Sequence, residues 1–483
     1  MGRCVATLRG TFFVRLSMGR TFYILEVNMN PYFYMHDSDR IALQALKAIP
    51  GFTQLFKAFM KVWSEKQFRI QNMSTNLRIS EKQLPKYYEM LPPICEKLGI
   101  EVPELYLELD VVPNAYTAGD TKPFIVMTSR LLETMPEELI PTVLAHECGH
   151  IACRHSLYTT MGRIILSEAI NYLGLSDLAV LPIQVAFSYW MRCSELSADR
   201  AAAICDGNAD NIVEMCMRFA GFGKNIMAEA NVDEFMNQAL EYREMVADSK
   251  WNKTLEFLIL SQEDHPLNAV RAYECSEWAK TERFTKITKF VDSCTDCGDI
   301  ALTAYLQEVP MPEASKHYVG KNIAEVQTIM QDLGFVNVKT AKITQKGMMV
   351  KNGQVLNIRI NGKDGFNMCD WYPIDSDIVI EYYEPETEEE IAAAHPGQIR
   401  VPNSSKYYLG RVYTEAVEEL QNAGFATIEV EEQRKDKKGL LSKNGGIAII
   451  SINGQTQFEK GEWFAEQSTI RIVYHTYAEK VKK

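Results

Sequence analysis

The sequence predicts an α+β protein: a mostly helical domain with a small sheet, followed by two small α+β domains. Three observations carry that prediction. Apolar residues recur at helical spacing through the segments around residues 139–152 and 187–203. Beyond about residue 300 the chain repeats itself at offsets of 90 to 92 residues. At 483 residues, 46% hydrophobic and 24% charged, the chain is ordinary globular material too long for one domain. The expected division is a leader or mis-assigned start (1–28), a helical domain (29–300), a first repeat (310–384), an acidic linker (385–398) and a second repeat (399–478).

The first 28 residues carry four arginines and no acid before Glu26. Arg15 and Arg20 interrupt any apolar core, which makes a poor secretory signal. Ala6 stands where an N-myristoylation motif needs Ser or Thr. The working protein is expected to begin near Met29. Amphipathic helices are then expected over Ile41–Trp63 and Gln83–Leu98, covering one side of the core.

The stretch "LLETMPEELIPTVLAHECGHIAC" comes next, with Thr134 as its expected N-cap and Glu137 completing a capping box. Leu139, Val143, Leu144, Ile151 and Ala152 recur on one helical face. On a helix, His150 lies about 40° around from His146, so the two rings project together one turn apart. His155 falls about 180° from His146, on the opposite side, so the third histidine is not expected to join them. His146, Glu147 and His150 form an H-E-x-x-H pattern. Two neutral imidazoles at this spacing can hold zinc, and the neighbouring carboxylate can take a proton from water. The longer form of the motif needs Gly at position 153 and His at 156, where this chain has Cys153 and Ser156.

A third ligand is expected 45 residues beyond His150, in "VAFSYWMRCSELSADRAAAIC". Phe187, Met191, Glu195 and Asp199 are spaced by four, so two carboxylates continue an apolar stripe. Buried like charges are costly unless they meet cations. A zinc ion and two histidines would compensate them, with Glu195 as ligand and Asp199 holding an imidazole N–H. Ala198, Ala201, Ala202 and Ala203 would let this helix approach the first closely.

H-E-x-x-H followed by E-x-x-x-D resembles the gluzincin metallopeptidases of the HtpX and CAAX-prenyl endopeptidase type. Asn114, Ala115 and Gly119 resemble that family's N-A-x-x-x-G segment and following strand, and His265, Pro266 and Arg271 its H-P-x-x-x-x-R element. The resemblance covers roughly Pro85 to Glu274. It implies a zincin-like fold, one Zn2+ per chain and polypeptide substrates. It also implies that His265 steadies a tetrahedral oxyanion with Arg271 in support. The segment "PFIVMTSR" after Gly119 would present an exposed edge to an extended substrate, with Asn114, Ala115 and Gly119 beside it.

The membrane-bound relatives carry hydrophobic spans. Here the longest apolar run near the motif, "LAVLPIQVAFSYWM", is too short to cross a bilayer, and a soluble, cytoplasmic member is expected. A net charge of −12 argues against nucleic-acid partners. The eleven cysteines show no framework spacing, as expected of reduced thiols, and Cys294 and Cys297 read as a linker feature.

"SKHYVGKNIAEVQTIMQDLGF" from Ser315 matches "SKYYLGRVYTEAVEELQNAGF" from Ser405, and "KNGQVLNIRINGKDGF" from Lys351 matches "KNGGIAIISINGQTQF" from Lys443. Each unit reads as a helix stopped by Gly334 or Gly424, then three β-segments. The units resemble PASTA domains, which implies docking of a ligand or protein. Two functions remain open from sequence: a zinc endopeptidase with Glu147 as base, or a zinc-stabilised scaffold acting through the repeats. Glu147 separates them, since a structural zinc has no use for a flanking base.

Overall fold

A computed structural model of the protein describes residues 29–62, 64–166, 177–221, 226–248, 267–293, 299–344, 350–435 and 443–477. The leader, His265, Pro266, Cys294 and Cys297 lie outside these. The chain divides into two compact units. One holds the described residues up to Lys342 with Gly353–Tyr382, and the other holds Ile343–Asn352 with the residues from Tyr383 onward.

The first helix expected at the N-terminus is two: α1 (Asp37–Ala48) and α2 (Phe52–Val62). Pro50 cannot donate a helical hydrogen bond, and Ile49 before it is extended (φ −66°, ψ 129°). Next come α3 (Glu65–Thr75) and strand β1 (Leu77–Ile79). The second expected helix is broken likewise, into a single turn α4 (Pro85–Tyr88) and α5 (Leu91–Leu98), whose first turn holds proline.

Strands β2 (Glu104–Glu108), β3 (Ala115–Ala118) and β4 (Phe124–Thr128) complete a sheet of order β1-β2-β4-β3. β2 runs parallel to β4, and β3 antiparallel to it. All five residues of β4 are buried. The expectation that "PFIVMTSR" forms the exposed edge is therefore corrected. Its unbroken apolar run marks an interior strand covered on both faces, and the edge beside it is β3.

Helix α6 (Ser129–Thr134) follows, capped by Thr128, whose Oγ1 accepts from Leu131 N. The capping box expected at Thr134 and Glu137 does not form. Thr134 closes α6 and donates to the Arg130 carbonyl, while Glu137 pairs with Lys86. The motif helix α7 (Ile140–Ala152) starts later, with proline in its first turn. Then follow α8 (Ser156–Leu166), α9 (Asp177–Asp206), α10 (Asp210–Gly221), α11 (Val232–Asp248), α12 (Asn268–Ala279), α13 (Glu282–Ser293) and α14 (Asp299–Leu306). One core joins the sheet to α5, α7, α10 and α12–α14, and a second, around Leu46, Phe59, Met161, Phe187 and Trp190, joins α1, α2, α8 and α9. Among the described residues no helix is long and apolar enough to cross a membrane.

The first repeat comprises β5 (Glu308–Pro310), α15 (Ile323–Asp332), β6 (Asn337–Ile343), β7 (Val355–Ile360), β8 (Lys363–Asp364), β9 (Trp371–Pro373) and β10 (Asp377–Tyr383). The acidic linker contains α16 (Glu388–Ala393), begun by a capping box between Thr387 and Glu390. The second repeat comprises β11 (Gln398–Arg400), α17 (Ser405–Tyr408), α18 (Tyr413–Asn422), β12 (Thr427–Lys435), β13 (Gly446–Ile452), β14 (Trp463–Ala465) and β15 (Thr469–Tyr477). In both, the last strand lies between the two before it (β6-β10-β7 and β12-β15-β13), and a short leading strand pairs with the tryptophan-bearing one. Gly334 (φ +103°) and Gly424 (φ +110°) end the repeat helices as expected. Phe335 N bonds Met330 O, and Phe425 N bonds Leu420 O, across the left-handed residue. The first repeat packs on α1: Arg40 Nη2 donates to the carbonyls of Met311 (2.7 Å) and Pro312 (2.9 Å).

The approach of α7 to α9 depends on Gly149. A Cβ there would meet Ala201 Cβ at 2.7 Å and the Ala198 backbone at 3.0 Å. Gly149→Ala is expected to destabilise the protein by about 1–3 kcal/mol, although alanine is the better helix former by about 1 kcal/mol. Denaturant unfolding measures this, and parental stability in the variant would mean that the two helices are not in contact there.

Candidate metal centre

Three buried side chains converge between α7 and α9. His146 and His150, one turn apart on α7, bring their Nε2 atoms to 3.2 Å from each other. Glu195 on α9 places Oε2 3.4 Å from His146 Nε2 and Oε1 3.2 Å from His150 Nε2. They are the one group of potential metal ligands found among the described residues. Ligands about 2.0–2.1 Å from a tetrahedral zinc stand about 3.3–3.4 Å apart, which is close to the spacing of the two nitrogens and of each nitrogen to its nearer Glu195 oxygen.

Charge points the same way. Among the buried side chains described, Asp39, Glu147, Glu195 and Asp199 are acidic, and Arg40 and Arg271 are basic. With the histidines neutral, as ligation requires, a divalent cation would make up the difference of two charges.

The remaining nitrogens of both histidines are already engaged. His146 Nδ1 is 2.9 Å from Asp199 Oδ1, one turn beyond Glu195 on α9. Arg271 on α12 donates to both oxygens of Asp199, at 2.8 and 2.7 Å, and its Nη1 is 3.3 Å from Glu195 Oε2. The resemblance offered Arg271 as oxyanion support. Its described bonds go to the carboxylates of Asp199 and Glu195, with Nη2 also 3.4 Å from His146 Nδ1, while His265 lies outside the described residues.

The expected position of His155 needs correction. α7 ends at Ala152, Arg154 turns left-handed (φ +58°), and His155 N bonds the His150 carbonyl. The ring is thereby folded back until its Nδ1 is 3.0 Å from His150 Nδ1. His155 Nε2 is 2.9 Å from Asp39 Oδ2 on α1, and Asp39 also accepts from Ser197 Oγ (2.6 Å) and Trp190 Nε1 (2.8 Å). Neither Asp39 nor this role of His155 was visible in the sequence.

These partners set the protonation of the site. Burial disfavours a charged His146, but its hydrogen bonds to Asp199 and Glu195 outweigh this and raise its pKa to about 9. Burial dominates at His150 and lowers its pKa. Burial also works against the Asp199 carboxylate, but the Arg271 charge prevails and holds its pKa down at about 2. An ion entering the site must displace the His146 proton, so metal uptake releases protons.

Glu147 is buried on α7, about 100° around the helix from His146. Asn114, Ala115 and Gly119 lie on or beside edge strand β3, which packs against α7 and α8. Asn114 exchanges backbone bonds with Thr128, its carbonyl accepting from Thr128 N and its N–H donating to Thr128 Oγ1, both at 2.9 Å. Gly119 (φ +97°) makes the turn toward β4.

Residues 91–279 match the sequence profile of Peptidase family M48. The chain is 31% identical over 258 residues to the plastoglobule-localized metallopeptidase 48, chloroplastic, of Arabidopsis thaliana, covering 53% of this chain and 75% of that one. It is 26% identical over 185 residues to a protease HtpX homolog of Trichormus variabilis, covering 32% of this chain and 63% of that relative. Among solved structures, Ste24p of S. mikatae overlaps 49% of this chain and 65% of its own at TM-score 0.22 and 16% identity. The extracellular region of the kinase PrkC from Staphylococcus aureus overlaps 36% of this chain and 49% of its own at TM-score 0.15 and 20% identity.

Removing one ligand should remove the ion. In Glu195→Ala, His146→Ala and His150→Ala, bound zinc per chain measured by elemental analysis is expected to fall to a small fraction of the parental value. Stabilisation of the parent by added zinc, about 2.7 kcal/mol at one hundred times the dissociation constant, should disappear with it. Parental zinc content in Glu195→Ala would show that this carboxylate is not a ligand.

Proposed function

The chain belongs to peptidase family M48, and from that membership we propose that it is a zinc-dependent endopeptidase that hydrolyses peptide bonds in polypeptide substrates. The observation that carries this reading is the buried convergence of His146 Nε2, His150 Nε2 and Glu195, with spacings of 3.2–3.4 Å, one residue from the buried Glu147. When bound there, zinc would supply Lewis acidity, polarising water and the scissile carbonyl.

His146, His150 and Glu195 would hold the ion, and Asp199 would keep the proton on His146 Nδ1 so that Nε2 stays free to ligate. Arg271 neutralises Asp199 and steadies Glu195 through Oε2, the oxygen nearer His146. The Glu147 carboxylate would accept a proton from the attacking water and deliver it to the departing amine nitrogen. His265 is assigned to the developing oxyanion by resemblance. The edge of β3, with Asn114, Ala115 and Gly119, would bind substrate as an added strand, which its place at the end of the sheet supports.

The two repeats are read as docking arms for polypeptide partners, a role that supplies no chemistry to the site. A reducing compartment, the cytoplasm in our reading, is supported by the free thiols of Cys95, Cys148, Cys153, Cys193, Cys205, Cys216, Cys275 and Cys369.

Glu147→Gln is nearly isosteric and leaves all three ligands in place. Zinc content and thermal stability should stay parental, while turnover of a peptide library or casein falls by about 10²–10⁴-fold. Parental turnover in this variant would remove Glu147 from the reaction. Absence of any chelator-sensitive cleavage by the parent would favour the zinc-stabilised scaffold.

A further inference from the structure

We propose that Asp39 and His155 are positioning residues for His150, forming a relay that decides which of its nitrogens is free to bind metal. The inference rests on reading His146, His150 and Glu195 as ligands. The two histidines are held differently. His146 Nδ1 faces a carboxylate directly, whereas His150 Nδ1 faces another imidazole at 3.0 Å. Two facing ring nitrogens make a bond only if one carries the proton and the other does not. Which one does so is decided at the far end of the chain.

There, Asp39 is fully buried and surrounded by donors. The Trp190 indole N–H can only donate, and it reaches Oδ1 at 2.8 Å. Ser197 Oγ already accepts from His36 N at 3.0 Å, which leaves its proton for Oδ2 at 2.6 Å. Asp39 therefore serves as an ionised acceptor, and His155 Nε2, at 2.9 Å from Oδ2, must be the donor. The relay requires the neutral form of His155, which with its proton on Nε2 has a lone pair on Nδ1. His150 must then donate from Nδ1, and its Nε2 is left unprotonated beside His146 and Glu195. The opposite polarity would put a proton on His150 Nε2, where it would block an ion.

Asp39 contributes from outside the segment matched to the family, since α1 precedes residue 91. The next residue, Arg40, anchors the same helix to the first repeat. The relay therefore joins a ligand on α7 to an element that also holds the C-terminal part of this unit.

The direct test is ring nitrogen NMR on full-length, zinc-loaded protein labelled in histidine. His155 should be neutral with its proton on Nε2 and an unprotonated Nδ1. A proton on Nδ1, in either the other tautomer or the imidazolium, would overturn the proposal without need of a variant. Substitutions give a second test, read by chelator competition for zinc and by the visible spectrum of the cobalt-substituted protein. Asp39→Asn presents an amide N–H to a group that must donate, and His155→Leu removes the link. Each should weaken zinc binding by about 10–100-fold and shift the cobalt bands. His155→Gln should lose less, because its amide oxygen can accept from His150 while its NH2 donates to Asp39. Parental zinc affinity and cobalt spectra in folded Asp39→Asn and His155→Leu would reduce Asp39 to packing between α1 and α9. If the parent itself takes up no zinc, the metal reading fails and the relay with it.

Discussion

Placing His146, His150 and Glu195 face to face inside the protein is the constraint on which the rest depends. Two imidazole nitrogens 3.2 Å apart, each within 3.4 Å of a carboxylate oxygen and shielded from water, repel unless a proton or a metal lies among them. The surroundings are built to sustain that arrangement. Asp199 and Arg271 restrain one imidazole and the glutamate, and His155 and Asp39 restrain the other imidazole. Each of these partners is itself buried and hydrogen-bonded, as a polar network in low dielectric requires.

Helix packing brings the ligands together. Gly149 on α7 and Ala198 and Ala201 on α9 remove the side-chain bulk that would otherwise separate the two helices. That close approach lets a glutamate from α9 reach two histidines on α7. Helix α9 is 30 residues long and serves both cores. Its first half packs Phe187 and Trp190 against α1 and α8, and its second half delivers Glu195, Ser197 and Asp199 to the polar centre.

Most of the first repeat belongs to the unit that contains the centre. Arg40 spans from α1 to the carbonyls of Met311 and Pro312, and Arg283 of α13 lies 3.7 Å over the ring of Trp371. Trp463, the counterpart of Trp371 in the second repeat, stacks instead on His395 of the acidic linker at 4.2 Å. Equivalent aromatic positions in duplicated sequence have therefore been put to different packing uses. Sequence offset alone cannot distinguish them, because what covers each tryptophan is supplied by a non-equivalent segment.

The sequence by itself determined what depends on local period and residue chemistry. The H-E-x-x-H pairing on one helix face, the third carboxylate at Glu195 with Asp199 one turn on, the small residues between the helices and the duplicated units with their glycine stops were all legible. Each follows from fixed rotations per residue or from backbone conformations that favour glycine. Only the tertiary structure decided the rest. β3 and not β4 lies at an edge of the sheet, because strand order is a long-range choice that a short apolar run does not specify. His155 returns to His150 because the helix ends at Ala152 and Arg154 turns left-handed, which no helical period foresees. Asp39 reaches His155 across 116 positions of sequence, a contact set by the packing of α1 on α9 and unmarked by any local pattern.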